Sequence, residues 1–150
     1  MAADSTAAAD YKPMIRPLLA AAAIMASTGC AGSALAPAPL TELAGTSWRV
    51  AAVNGRATPS TGDYALRFDR DGGVGGRLGC NAMGGQYRLS GDRLTVNDLA
   101  STLMGCPEPA ATFERESAAI LSQPMQVSFT SNDRMSLSNA AGSIALDPAP

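Results

Sequence analysis

From Thr46 onward, apolar and polar residues alternate along the chain. Trp48 and Val50 alternate with Ser47 and Arg49, and Tyr64, Leu66 and Phe68 with Ala65 and Arg67. Tyr87 and Leu89 alternate with Gln86 and Arg88, and Leu94 and Val96 with Arg93 and Thr95. Met125, Val127 and Phe129, then Met135 and Leu137, then Ile144 and Leu146 continue the pattern. A period of two sends one set of side chains to a core and the other to water. Strands that are wet on one side predict antiparallel pairing, because parallel strands are covered on both faces. Asn54-Gly55, Asp71-Gly72-Gly73, Ser90-Gly91-Asp92, Ser131-Asn132-Asp133 and Ala141-Gly142 separate the runs with turn residues. Such a meander removes its edges by curling into a barrel.

Residues 108–122 break the alternation and predict a helix. Phe113, Ser117, Ile120 and Leu121 fall on one face at helical spacing. Pro107 or Pro109 suits the first turn, Glu108, Glu114 and Glu116 favour the helix dipole, and Pro124 stops the helix. The predicted fold class is mainly β (α+β): a small, strongly curved antiparallel sheet or barrel with one packed helix.

The N-terminal segment follows another logic. Leu18 to Ala26 is an apolar run of nine residues, preceded by Lys12 and Arg16 and followed by Ser27-Thr28-Gly29 and Cys30. A basic start, an apolar middle and a small-residue exit make a secretory signal, and the run is too short for a membrane-spanning helix of about 20 residues. Asp4 and Asp10 sit badly in a signal, and Met14 would give a more compact start. Gly29-Cys30 resembles a bacterial lipobox, in which the cysteine is lipidated, although Ser27 stands where that motif prefers Leu. A cleaved signal with an incidental cysteine is the alternative, giving a soluble secreted or periplasmic chain. The expected organisation is a signal at 1–29, a lipidated Cys30 with a proline-punctuated tether at 30–42, a domain at 43–147, and a short tail that frays from Asp147. Ala31 after the cysteine is associated with export to the outer membrane in Gram-negative cells.

Composition narrows the chemistry. The chain has 150 residues and a net charge of -2, which suits one domain and does not suggest a nucleic-acid partner. It has no histidine, which removes Ser-His-Asp and Cys-His catalysis, His-ligated zinc and His-ligated haem. Three cysteines are too few for a Cys-only zinc site. With Cys30 lipidated, Cys80 and Cys106 remain as a pair that would oxidise outside the cytoplasm. That bridge is worth about 3.5 kcal/mol less any strain in the chain-entropy model. The rival reading is a reactive thiol, but no His or Lys stands nearby in sequence to lower its pKa.

Gly79-Cys80-Asn81, with Gly84 or Gly85 and Tyr87 after it, resembles the GCN-x-x-x-G-x-Y core of the META domain family, to which the heat-inducible lipoprotein HslJ belongs. Thr102, Met104, Cys106 and Pro107 resemble its T-x-M-x-C-P block, Gly45-Thr46 and Trp48 its opening, and Asn54-Gly55 its first turn. Glu114 and Leu121 fall at its helix positions, while Ser117 departs from a position usually large and apolar. The resemblance spans about residues 43 to 147. It implies a barrel-like, mostly β fold and brings no agreed catalytic residues. Members are associated with heat shock, envelope stress, antibiotic tolerance, motility or secretion.

Other candidate chemistry is weak. Seven glycines in residues 72–85 lack the Lys of a phosphate loop and read as a bent strand pair with close backbones. Asp69-x-Asp71-Gly72 resembles the start of a calcium loop without its later ligands, so a turn is expected. Glu114 and Glu116 point to different sides of the helix and make no acid/base couple. Arg67, Arg77, Arg88 and Arg93 are candidates for an anionic-ligand patch, against solvated outward charges. The expected function is a non-enzymatic, cofactor-free, monomeric envelope lipoprotein, held to the bilayer by its lipid, that binds an envelope protein or a small ligand under stress. The alternative is a small-ligand carrier or a periplasmic enzyme inhibitor. A deep apolar pocket would favour a carrier, and a filled core with a protruding loop would favour a binder or inhibitor.

Overall fold

The computed structural model describes residues 43–60, 63–130 and 132–150. The expected signal, Cys30 and the tether lie outside the described residues. Nine strands and one helix follow in the order β1 (Thr46–Val53), β2 (Arg56–Ala57), β3 (Ala65–Phe68), β4 (Gly73–Arg77), β5 (Ala82–Ser90), β6 (Arg93–Ser101), α1 (Ala110–Leu121), β7 (Met125–Phe129), β8 (Met135–Asn139) and β9 (Gly142–Pro148). Every pairing is antiparallel, as the alternation required.

Pairing of β1 with β9 closes the sheet into a barrel, with the two-residue β2 as an appendage on β1. Closure removes the exposed edges of an open sheet. Register shifts at Val50/Ala52 in β1 and at Gly84/Gln86 in β5 add the local bend that a small barrel needs. The tight β1–β2 turn uses Asn54 at φ 51 and Gly55 at φ 76, the two positive dihedrals that match the twist of a hairpin. Within the closed barrel the β6–β7 join is the narrowest, with Arg93 opposite Gln126 and Leu94 opposite Met125.

The inward residues of the alternating runs make one core. Val50, Val53, Leu66, Phe68, Leu94, Met125, Met135, Leu137, Ile144 and Leu146 are all fully buried. Each contributes about 1.5–3 kcal/mol through its burial. The cavity between Leu66, Val74, Met83, Val96, Leu99 and Leu121 measures about 10 Å³, at the lower limit for one water and lined by apolar groups that would not hold it. Around this cavity the barrel interior is packed with buried side chains.

Helix α1 buries Phe113, Ser117, Ile120 and Leu121, the face its spacing predicted. It packs on β1, β6 and β9. It lies across the end of the barrel where three turns gather. Glu116 takes Asn54 Nδ2 at 3.0 Å and Arg56 Nη2 at 2.5 Å, and Asn139 Nδ2 donates to the Ile120 carbonyl at 2.8 Å. No helix among the described residues is long and apolar enough to cross a membrane.

Four details differ from the sequence expectation. The helix begins at Ala110, and its first turn carries no acidic residue. Glu108 instead accepts the Thr112 N–H at 3.2 Å from outside, and Glu114 and Glu116 each have a specific partner. Phe129 shares the parity of Met125 and Val127 but is 42% exposed, because it stands at the rim with its ring edge on Trp48, 5.9 Å between centroids. The C-terminal segment does not fray at Asp147: its carboxylate pairs with Arg49 and Arg134, Pro148 is opposite Trp48, and Ala149 N–H donates to Ser47 O at 3.0 Å.

Candidate functional site

The two motif blocks, remote in sequence, meet at Asn81. The β4–β5 turn brings Gly79 so close to α1 that a Cβ there would lie 2.6 Å from the Ala110 carbonyl oxygen and 2.8 Å from Glu114 Cβ. Only glycine permits that approach. The turn then delivers Cys80 and Asn81 to the start of α1 and to the loop that follows β6.

Asn81 is 3% exposed, and its amide is fully used. Its Nδ2 donates to Glu114 Oε1 at 2.8 Å and to the Met104 carbonyl at 3.0 Å. Its Oδ1 accepts Thr102 Oγ1–H at 2.8 Å and the Met104 N–H at 2.7 Å. Its backbone N–H donates to Glu114 Oε2 at 3.0 Å. Thr102 completes the lattice: its N–H donates to Ala82 O at 3.0 Å, and its Oγ1 accepts the Ala82 N–H at 3.2 Å. A side-chain amide offers two donors and two acceptor lone pairs, so this site leaves none idle. Beside it, Cys80 and Cys106 form a disulfide with Cα atoms 5.9 Å apart. The bridge expected from the sequence is present.

The consequence is a loop with a fixed backbone and released side chains. Met104 is held at both its N–H and its carbonyl, two residues before the bridged Cys106. Its side chain points away from the core at 55% exposure, and neighbouring Leu103 is 96% exposed. Leaving two large apolar side chains in water gains nothing for folding. The Met104 backbone is ordered by the fold itself, through Asn81 at both its N–H and its carbonyl.

The same geometry defines the chemistry. Cys80, Cys106 and Glu114 are close enough to share an ion, all three ligand atoms lying within 4.8 Å of one another. With the two sulfurs bonded to each other, neither is a thiolate ligand. Glu114 is committed to two N–H donors, whereas Glu116 on the neighbouring helix side binds Arg56 and Asn54. The hydrogen bond from Arg56, followed by that from Asn54, holds the Glu116 carboxyl below its ordinary pKa against the opposing effect of desolvation. Asp69 and Asp71 belong to a turn: Asp69 holds Arg67 Nε at 2.8 Å, and Asp71 takes the Gly73 N–H at 3.1 Å.

The remaining motif residues are packing residues. Trp48 is buried and donates its indole N–H to Thr46 Oγ1 at 2.8 Å. Tyr87 stands edge-on to Phe68 at 5.1 Å, and its hydroxyl donates to the Asp69 carbonyl at 3.3 Å. The four candidate arginines split into two pairs. Arg67 and Arg77 flank Gly75 on the outer face of β3 and β4, and Arg88 and Arg93 belong to the far end of β5 and β6. Arg88 is six residues along β5 from Ala82, the partner of Arg77, which is about 20 Å of strand. Sequence reading missed Leu103, which sits between motif residues and follows no period.

The comparisons agree with this architecture. Two proteins solved by NMR share the fold at a TM-score of 0.60 and 25% identity. One is from Burkholderia xenovorans and is matched over 83% of its length and 71% of this chain. The other is matched over 88% of its length and 69% of this chain. No curated protein matches the chain. The META domain model matches residues 41–147, which carry the Asn81 lattice, the bridge and the whole barrel, and the chain belongs to the META domain family.

Proposed function

We propose that this protein is a non-enzymatic lipoprotein of the cell envelope, anchored through Cys30, whose META domain grips an envelope protein with Leu103 and Met104 during stress. The observation that carries this reading is Leu103, 96% exposed on a backbone pinned by Asn81 and by the Cys80–Cys106 bridge. An apolar tip on a rigid base suits a shallow apolar socket on a partner. The lattice around it spends its polar groups on each other, which supports binding over catalysis. A lipid on Cys30 would hold the domain at the bilayer. The packed barrel core counts against a carrier with its ligand in the lumen.

The test is a photo-crosslinking amino acid placed at position 103 of the full chain in intact bacterial envelopes. The reading expects one discrete crosslinked protein, absent when the probe stands at Ser138 and lost when Met104→Asp accompanies it. Equal crosslinking from both positions, or none from position 103 under any stress, overturns the reading.

A further inference from the structure

Gly75 is a glycine that the fold does not require. It stands in the interior of β4, where glycine weakens a strand. A Cβ there would meet nothing closer than the Met83 carbonyl oxygen at 3.7 Å, an ordinary contact. Its neighbour Gly76 is different, since a Cβ on it would overlap the Ala65 backbone. Packing explains Gly76 and leaves Gly75 unexplained.

Gly75 forms part of the floor of an open groove of about 410 Å³ on the outer face of the barrel, lined with Ala65, Arg67, Arg77, Ala82 and Asp63. That volume lies in the range of ligand sites, about 300–1,000 Å³. The register explains its shape. Arg67 pairs with Gly75, and Ala65 pairs with Arg77, which pairs in turn with Ala82. Arg67 and Arg77 are thus diagonal neighbours, about 7–8 Å apart at the backbone, across a floor of glycine and alanine. Arg77 has no ion pair among the described residues. Arg67 is held at Nε by Asp69, which orients its guanidinium, and among the described residues both Nη groups are left for a ligand. Exposed Asp63 also lines the groove.

We propose that this groove binds a short peptide of small residues by its free terminal carboxylate. Two guanidiniums on adjacent strands match the planar, bidentate geometry of a carboxylate. Gly75, Ala65 and Ala82 present nothing larger than a methyl group to the groove, so the backbone of a small-residue peptide can approach the sheet closely. Asp63 offers a partner for an ammonium group on the same ligand. This site is separate from the Leu103–Met104 loop and does not depend on the reading of that loop.

The experiment titrates the ¹⁵N-labelled full chain with tetra-alanine, with tetra-alanine amide and with inorganic phosphate, and follows the Ala65–Arg67 and Gly75–Arg77 amides by NMR. The proposal expects saturable shifts with tetra-alanine, at least tenfold weaker binding of the amide, and at least tenfold weaker binding by Arg77→Ala. Gly75→Val is expected to keep the fold, with an unchanged or raised Tm, and to lose the shifts by filling the floor. Failure of tetra-alanine to saturate, equal binding of acid and amide, or binding of phosphate as tight as the peptide overturns the proposal. So does a Gly75→Val variant that still binds, or one whose Tm falls, since the second result would return Gly75 to packing.

Discussion

Asn81 and Glu114 grip each other through two hydrogen bonds, Nδ2 to Oε1 at 2.8 Å and backbone N–H to Oε2 at 3.0 Å, across 33 positions of sequence. That contact joins the β4–β5 turn to α1. A second hydrogen bond from Nδ2, together with the two that Oδ1 accepts, joins both to the loop after β6.

Removing this hub should be expensive. Asn81→Ala leaves Met104 N–H, the Met104 carbonyl and Glu114 short of partners, and one unsatisfied buried group costs about 1–3 kcal/mol. A loss of about 3 kcal/mol is expected from urea unfolding of the oxidised chain. Asn81→Asp is expected to lose more at neutral pH than under acid, because it sets a carboxylate against Glu114. Losses below about 1 kcal/mol for the alanine variant would mean that the lattice is incidental.

The cysteines make a joint prediction about anchor and bridge. The intact mass of protein from the membrane fraction should correspond to a chain starting at Cys30 with added acyl groups, alkylated twice and only after reduction. Cys80→Ser and Cys106→Ser should lose similar stability, and the double variant should lose no more than either, since all remove one bond. Additive losses, or thiols that react before reduction, would contradict the bridge.

Ser117 is buried in α1, and its Oγ has no partner among the described residues. Removing a buried, unpaired hydroxyl relieves its desolvation cost, so Ser117→Ala should stabilise the chain by about 1 kcal/mol. A thermal scan that shows a lower Tm would point to a partner for the hydroxyl.

Glu116 makes a pH-dependent contribution. Its folded pKa is lowered, chiefly by Arg56, so its stabilisation is present above the ordinary carboxylate value and disappears as pH falls through the lowered one. The stability difference between the native chain and Glu116→Gln should hold at neutral pH and shrink below about pH 4. The carboxylate is partly exposed, so the effect is small and weakens with salt. A difference that stays constant into acid would remove Arg56 and Asn54 as its cause.

Much of the barrel is legible in the chain because alternation is a local signal. Trp48, Leu66, Leu94, Val127 and Leu137 all face inward as their parity requires. Phe129 obeys the same parity yet stays half in water, because parity says nothing about where the rim lies. The Asn81 lattice is visible in sequence only as spacing. That Asn81 meets Glu114 and Met104 depends on how the β4–β5 turn lies against α1, which no run of residues encodes by itself. Gly79 carries a trace of it, as a glycine demanded by close approach. Arg77 and Arg88 look equivalent along the chain, and the register places them at opposite ends of the β4–β5 hairpin.

Amide hydrogen exchange at Met104 tests the central claim most directly, namely that the motif residues exist to hold the Leu103–Met104 backbone still. The Met104 N–H should be strongly protected in the oxidised full chain despite lying in a loop, and it should exchange at close to an unstructured rate in Asn81→Ala. Rapid exchange in the native chain would show that the loop is loose, and the rigid binding tip would have to be abandoned.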